Sequence, residues 1–317
     1  MHELETYQLL VIAIGAISFG VYLLVIGGDW TVDNAVVVAE KSGLSKHFIA
    51  ATVVAFGTSA PELFTSINAN LSGYPGISVG NVIGSNIANV MMVIAISAII
   101  APVVYKRAEV RVDTLVMLGA TVAMVAAIYN GILPRWGGLA MVFSLCVYIL
   151  YQYKASKLDV DELEEHDSDA PMAGVMLAVG IGTLLVGSEI LVQGAVAGGV
   201  ALGVPEAVIG MTMIAFGTSL PELTACVAAA RKGHADMIVG GIIGSNIFNI
   251  LSVMAFAAIA KPLVIESRFA AFDTPVVVAV TLLFAAFLLF AGRIGRIAGM
   301  LMAVGYLAFF VVQYFLN

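Results

Sequence analysis

"AFGTSAPEL" at residues 55–63 returns as "AFGTSLPEL" at 215–223, with Leu220 in the place of Ala60. Downstream of each copy, "GNVIGSNIAN" at 80–89 is matched by "GGIIGSNIFN" at 240–249. Both pairs keep an offset of 160 (215 minus 55, and 240 minus 80), so one register relates the two halves of the chain. Gly43 with Gly203 and Asp29 with Glu189 extend that register upstream. Each copy of the first motif holds a single ionisable side chain, Glu62 or Glu222, beside a proline in an otherwise apolar and small-residue stretch.

The medium around these motifs is apolar. Of the 317 residues, 61% are hydrophobic and only 11% charged, against about 25% charged in soluble domains. Apolar segments recur at about the 20 residues needed to cross a bilayer. We read an all-α membrane protein with ten transmembrane helices, near 6–27, 47–71, 76–101, 110–129, 133–153, 171–197, 207–231, 236–260, 273–292 and 295–315. Continuous apolar runs, without strand-like alternation, exclude a membrane barrel. The one long polar stretch, "KASKLDVDELEEHDSDAP" at 154–171, separates a first five-helix repeat (1–153) from a second (171–317), with 154–170 as an acidic cytoplasmic linker. Five is odd, so the second copy enters the bilayer from the opposite side. Paired, inverted, Gly/Pro-interrupted segments point to a transporter's midplane binding site. With both termini outside, eleven of the 14 Lys and Arg fall in inside loops, as the positive-inside rule favours. "MHELETYQ" lacks the basic start of a cleaved signal peptide.

The residue types in the motifs limit the chemistry. Pro61 and Pro221 have no N–H to donate and clash with the carbonyls of Gly57 and Gly217, so each motif helix is expected to kink there. If it is helical, the first copy sets Thr58, Ser59 and Glu62 on one face, with loose carbonyls from Ala55 to Gly57. The second copy supplies Thr218, Ser219 and Glu222. The glycine-rich motifs add Ser85 and Asn89, and Ser245 and Asn249, four apart in each pair. Their glycines let helices approach closely. All these donors are oxygens, which suits Ca²⁺ or Na⁺ and not zinc or copper. A carboxylate alone at membrane depth costs on the order of 2.5–3.5 kcal/mol. Two that converge repel each other, and a divalent cation, or several monovalent cations or protons, neutralises both.

Other features carry blander readings. Cys146 and Cys226 lie in apolar segments without metal-ligand spacing and are read as packing residues. Asp29 and Glu189 are read as interfacial or structurally paired. Asn86 and Asn246 stay open between joining helices and touching an ion. The acidic loop lacks the glycine of an EF-hand and reads as a solvated linker. No phosphate-binding loop and no catalytic histidine constellation is present, so nucleotide binding, nucleic-acid binding and enzymatic activity have no support.

"FGTSAPE" and "FGTSLPE", each followed by "GSNIxN", resemble the two α-repeats of the cation/Ca²⁺ exchanger superfamily, specifically its prokaryotic sodium/calcium exchanger branch. The likeness runs over nearly the whole chain. It implies two inverted five-helix repeats, a central diamond of ion sites between the second, third, seventh and eighth spans, and long first and sixth spans that slide across this core. It implies Glu62 and Glu222 as shared ligands of Ca²⁺ and Na⁺, and backbone carbonyls of Thr58 and Thr218 beside the calcium site. Ser59, Ser219, Ser85 and Ser245, with the carbonyls of Ala55 and Ala215, would build flanking sodium sites, and Asn89 and Asn249 would line the middle. Some relatives carry Asp at the position of Asn249, which bears on the coupling ion. The resemblance therefore implies a Ca²⁺/Na⁺ antiporter working by alternating access in the cell membrane. Its partners would be the lipid bilayer and the transported cations, with no cofactor and no obligate protein partner. A Ca²⁺/H⁺ antiporter of the same fold is the alternative, and a cation channel a more distant one.

Overall fold

The computed structural model describes residues 2–156, 170–202 and 217–316. It is an all-helical membrane protein. Seven helices among the described residues are long and apolar enough to cross a bilayer, or eight if one bent pair is counted as a single span. In chain order we label α1 (His2–Ser42), α2 (Lys46–Thr58), α3 (Ala60–Leu71), α4 (Pro75–Ile100), α5 (Arg107–Asn130), α6 (Arg135–Ala155), α7 (Ala170–Ala201), α8 (Leu220–Lys232), α9 (Ala235–Ala260), α10 (Asp273–Ala291) and α11 (Arg296–Leu316). Most of the acidic linker and the start of the expected 207–231 span lie outside the described residues.

Helix α1 runs well past the expected end at residue 27. No proline or glycine interrupts 29–42, and the helix stops only where Gly43 takes a φ of +64°. That left-handed conformation is the one glycine adopts freely at a helix end. Acidic residues on the extension are paired, Glu40 with Lys46 at 3.1 Å among them. Lys232 on α8 reaches Asp29 at 3.2 Å and Asp33 at 2.7 Å. Helices α1 and α7 lie against each other at very short range. A Cβ built on Gly20 would stand 2.7 Å from the backbone nitrogen of Leu191, and one on Gly187 would stand 3.0 Å from that of Leu24. In a bilayer, where apolar helices gain nothing by hiding from lipid, such close backbone contact is a principal source of association.

The core is made by the glycine-rich helices. Helix α9 is almost wholly enclosed and α4 largely so, whereas most residues of α1, α6 and α7 are not buried inside the protein. Each core helix contains a π-helical segment that begins at its motif asparagine: Asn89–Val93 in α4 and Asn249–Met254 in α9. Such widened turns leave the regular ladder and recur at functional sites. Two short antiparallel ladders join the halves at their loops. Val103–Val104 (β1) pairs with Arg293–Ile294 (β4), and Ile132–Leu133 (β2) pairs with Leu263–Val264 (β3).

The expected kinks are breaks. Helix α2 ends at Thr58, Ser59 leaves helical geometry (φ −83°, ψ +9°), and α3 starts at Ala60 with Pro61 in its first turn. The axes of α2 and α3 differ by 43°. Ser219 (φ −89°, ψ +4°) occupies the same place before α8, with Pro221 in the first turn. Proline is tolerated there because the first N–H groups of a helix have no partner within it.

Candidate cation site

The two breaks carry both carboxylates to helix starts. Glu62 lies in the first turn of α3 and Glu222 in the first turn of α8, both buried, at 1% and 4% exposure. A helix N-terminus is the end at which negative charge is favoured.

The halves interlock through side chains. Ser59 donates its hydroxyl to Oε1 of Glu222 at 2.9 Å, so a residue of the first motif serves the carboxylate of the second. Ser85 makes a long contact of 3.5 Å to Oε1 of Glu62. The helix is interrupted at Ser59, so Thr58 and Glu62 stand on separate helical segments. Thr58 turns its hydroxyl back onto the carbonyls of Val54 (3.1 Å) and Ala55 (3.3 Å), a common habit of buried threonine in helices.

Around these groups several buried polar atoms have no hydrogen-bond partner among the described residues: Oε2 of Glu62 and of Glu222, Oδ1 of Asn89, Oγ1 of Thr218, Oγ of Ser219, and both amide atoms of Asn249. Buried polar groups are nearly always satisfied in native proteins. All but one of these atoms are oxygens, and they lie on the residues drawn from the paired motifs. A hard cation would satisfy that donor set. A small cavity of about 20 Å³ adjoins it, lined by Ala55, Thr58, Glu222 and Ser245 among others. That is room for about one water-sized species. Among the described residues no group of three or more His, Cys, Asp or Glu stands together. Ala215 lies outside the described residues.

The asparagines divide. Asn89 donates to Oδ1 of Asn246 at 3.0 Å, linking α4 to α9 beside the carboxylates. Asn246 in turn points its amide at the sulfur of Met117 on α5, and Asn86 bonds its own helix at Val82. Both residues left open by the sequence thus join or brace helices. Asp29 is structurally paired, as described above, and Glu189 is exposed and accepts from Gln193 at 2.9 Å.

Sequence reasoning missed two residues. Asn81 straps α4 to α3 by donating to the Glu62 carbonyl (3.1 Å) and to Ser66 (2.9 Å). Its repeat partner is Gly241, so duplication gave no signal. Ser188 on α7 donates to the carbonyl of Gly217 at 2.7 Å. Here a signal existed, since Pro221 removes the N–H that would otherwise cover that carbonyl.

Comparison with known proteins bears on this arrangement. The family model described as sodium/calcium exchanger protein matches residues 12–154 and 172–315. The chain belongs to the sodium/calcium exchanger protein family. Sodium/calcium exchanger MaX1 of Methanosarcina acetivorans is 29% identical, over 94% of this chain and 97% of that protein. The putative antiporter CaxA of Alkalimonas amylolytica is 33% identical, over 94% of this chain and 96% of its own. Among solved structures, one of the sodium-calcium exchanger NCX_Mj soaked with Na⁺ and Sr²⁺ superposes with a TM-score of 0.84 at 33% identity, covering 94% of this chain and 97% of that one. The two matched stretches of this family member flank the acidic linker, and each contains one complete pair of motifs.

Proposed function

We propose that this protein is a secondary active antiporter that exchanges Ca²⁺ for Na⁺ by alternating access. The observation that carries the reading is a pair of buried carboxylates, Glu62 and Glu222, one at a helix start in each half, with Ser59 of the first motif bonded to the glutamate of the second. Relatives named as sodium/calcium exchangers, and solved structures of one soaked with Na⁺, Sr²⁺ or Ca²⁺, support the choice of ions.

The physics of exchange lies in the charge balance of this pocket. Two ionised carboxylates away from water repel each other and cost several kcal/mol. One Ca²⁺ offsets both charges, and two or more Na⁺ do the same. The pocket is stable when loaded with either species and costly when empty, so the carrier reorients readily only when loaded. In this reading Glu62 and Glu222 are shared by both ions, and the carbonyls of Thr58 and Thr218 flank Ca²⁺. Ser59, Ser85, Ser219 and Ser245, with the Ala55 and Ala215 carbonyls, serve Na⁺, while Asn89 and Asn249 line the middle. Asn249 brings no charge, so the two glutamates alone set the negative charge of the site. The closely packed α1–α7 pair moves as one body across the core.

The finer architecture belongs to the same proposal: ten spans in two inverted five-helix repeats (1–153 and 171–317), joined by the 154–170 linker on the cytoplasmic side. Both termini lie outside the cell membrane. The protein needs no cofactor and no obligate protein partner, and it performs no covalent chemistry.

The deciding experiment is Ca²⁺ uptake into proteoliposomes driven by an outward Na⁺ gradient at clamped pH. Uptake that follows the Na⁺ gradient, with no conductance of its own, is the expected result. Uptake driven only by a pH gradient would make the protein a Ca²⁺/H⁺ antiporter, and uptake without any counter-ion would make it a channel. A pH titration supplies a second prediction. Each proton taken up by the glutamate pair removes one negative charge, so Ca²⁺ binding must release protons and must weaken as pH falls. Calcium affinity measured by calorimetry should therefore drop from neutral to mildly acidic pH, and a flat profile would contradict the assignment.

A further inference from the structure

A second buried polar cluster lies away from the cation site, at the end of α2 where the loops are rich in lysine and arginine. Asp113 of α5 is fully buried, and His47 of α2 and Gln152 of α6 nearly so. Nε2 of His47 stands 2.5 Å from Oδ2 of Asp113, and Nδ1 of the same ring stands 3.2 Å from the backbone carbonyl of Asp236 at the start of α9. The Gln152 amide donates to the other carboxylate oxygen of Asp113. Three helices thus meet on one imidazole, and a fourth, α6, joins through Asp113. The cluster adjoins a cleft of about 760 Å³ lined by His47, Gln152, Lys46, Glu109 and Asp236 among others. The other charged groups nearby are Lys106, which also lines the cleft, Glu40 on α1, which pairs with Lys46 at 3.1 Å, and His234 before α9.

Both ring nitrogens of His47 face acceptors, one a carbonyl and the other a carboxylate. A neutral imidazole has a single N–H and cannot donate to both. We propose that His47, Asp113 and Gln152 form a proton-binding site, separate from the cation site, in which an imidazolium held by the Asp113 carboxylate fastens the basic-loop end of α2 to α5, α6 and α9. Losing the proton leaves one ring nitrogen with a lone pair facing an acceptor, either the Asp113 carboxylate or the Asp236 carbonyl, and so gives up one of the two bonds. The consequence reaches the cation site through α2 itself. A Cβ on Gly240 of α9 would lie 2.5 Å from the His47 carbonyl, so α2 has little room to shift, and its far end carries Thr58 and leads into Ser59. The effect on exchange rests on the antiport reading, whereas the proton site does not.

A proton held in the native state stabilises below the titration of the cluster and stops doing so as pH rises through it. The melting temperature of the ion-free protein in detergent should therefore fall as pH rises from about 7 to about 10. In His47→Gln and in Asp113→Asn this fall should be clearly smaller than in wild type, since neither variant retains the titrating pair. Parallel melting profiles in wild type and both variants would overturn the site. If the variants do not fold, nitrogen NMR of histidine-labelled wild-type protein decides. One doubly protonated ring persisting at about pH 8 supports the site, and only neutral rings at that pH overturn it. Sodium-driven Ca²⁺ uptake should slow at least about threefold over the same alkaline range in wild type and stay level in His47→Gln. Absence of sodium-driven uptake at every pH would sink the antiport reading and leave the melting profiles to judge the proton site.

Discussion

Glu62→Gln and Glu222→Gln should each lower sodium-driven Ca²⁺ uptake by on the order of a hundredfold or more. Glutamine keeps the size of the side chain and one oxygen but removes the charge. Breaking a buried charge arrangement by deleting one member costs about 3–5 kcal/mol, and each 1.36 kcal/mol is about a factor of ten in an equilibrium. In the proposed site Ca²⁺ would depend on both charges, because the remaining unpartnered side-chain donors are hydroxyls and amides. The double variant should be hardly worse than either single one, since the residues act as a unit. The ion-free protein should not lose thermal stability, because each substitution relieves repulsion between the pair. Uptake within about threefold of wild type in either variant would remove that glutamate from the site.

Gly244→Ala should cripple the protein while Gly84→Ala leaves it near wild type, although the two glycines are equivalent in the repeat. A Cβ on Gly244 would run into the Ala51 carbonyl oxygen and stand 2.7 Å from the Ala51 Cα, all backbone atoms of α2. Backbone cannot rotate away, so α9 and α2 must separate. Overpacking of this kind costs about 1–3 kcal/mol. The Ser59–Glu222 bond, which joins the end of α2 to α8, would lengthen with the separation. A Cβ on Gly84 would meet nothing within 4 Å. Thermal unfolding in detergent and Ca²⁺ uptake should both fall for Gly244→Ala, uptake by more than about tenfold, and neither should move much for Gly84→Ala. Equal tolerance of the two alanines would show that α2 and α9 do not meet as described.

Duplication made the centre of the site legible. Glu62 and Glu222 stood out because two carboxylates at matching places in apolar segments have no bland explanation, and both prove buried. The partner of Ser59 was not legible in the motif. Spacing along an unbroken helix pairs Ser59 with Glu62, yet Ser59 itself is where the helix breaks, and it bonds the glutamate of the other half. The His47 cluster left no trace in the sequence. Its members are 66 and 39 residues apart around Asp113, on three helices, and no second copy marks them.

From the sequence alone came the bilayer as solvent, the two related halves, and oxygen as the only donor chemistry. These depend on residue type and on order along the chain, which hydropathy and repetition record directly. The tertiary structure alone decided which hydroxyl faces which carboxylate, which of two equivalent glycines bears a neighbouring backbone, and where a histidine meets two acceptors at once. Those outcomes turn on differences of about an ångström in how separate helices pack, and a short motif carries no information about the surface that will press against it.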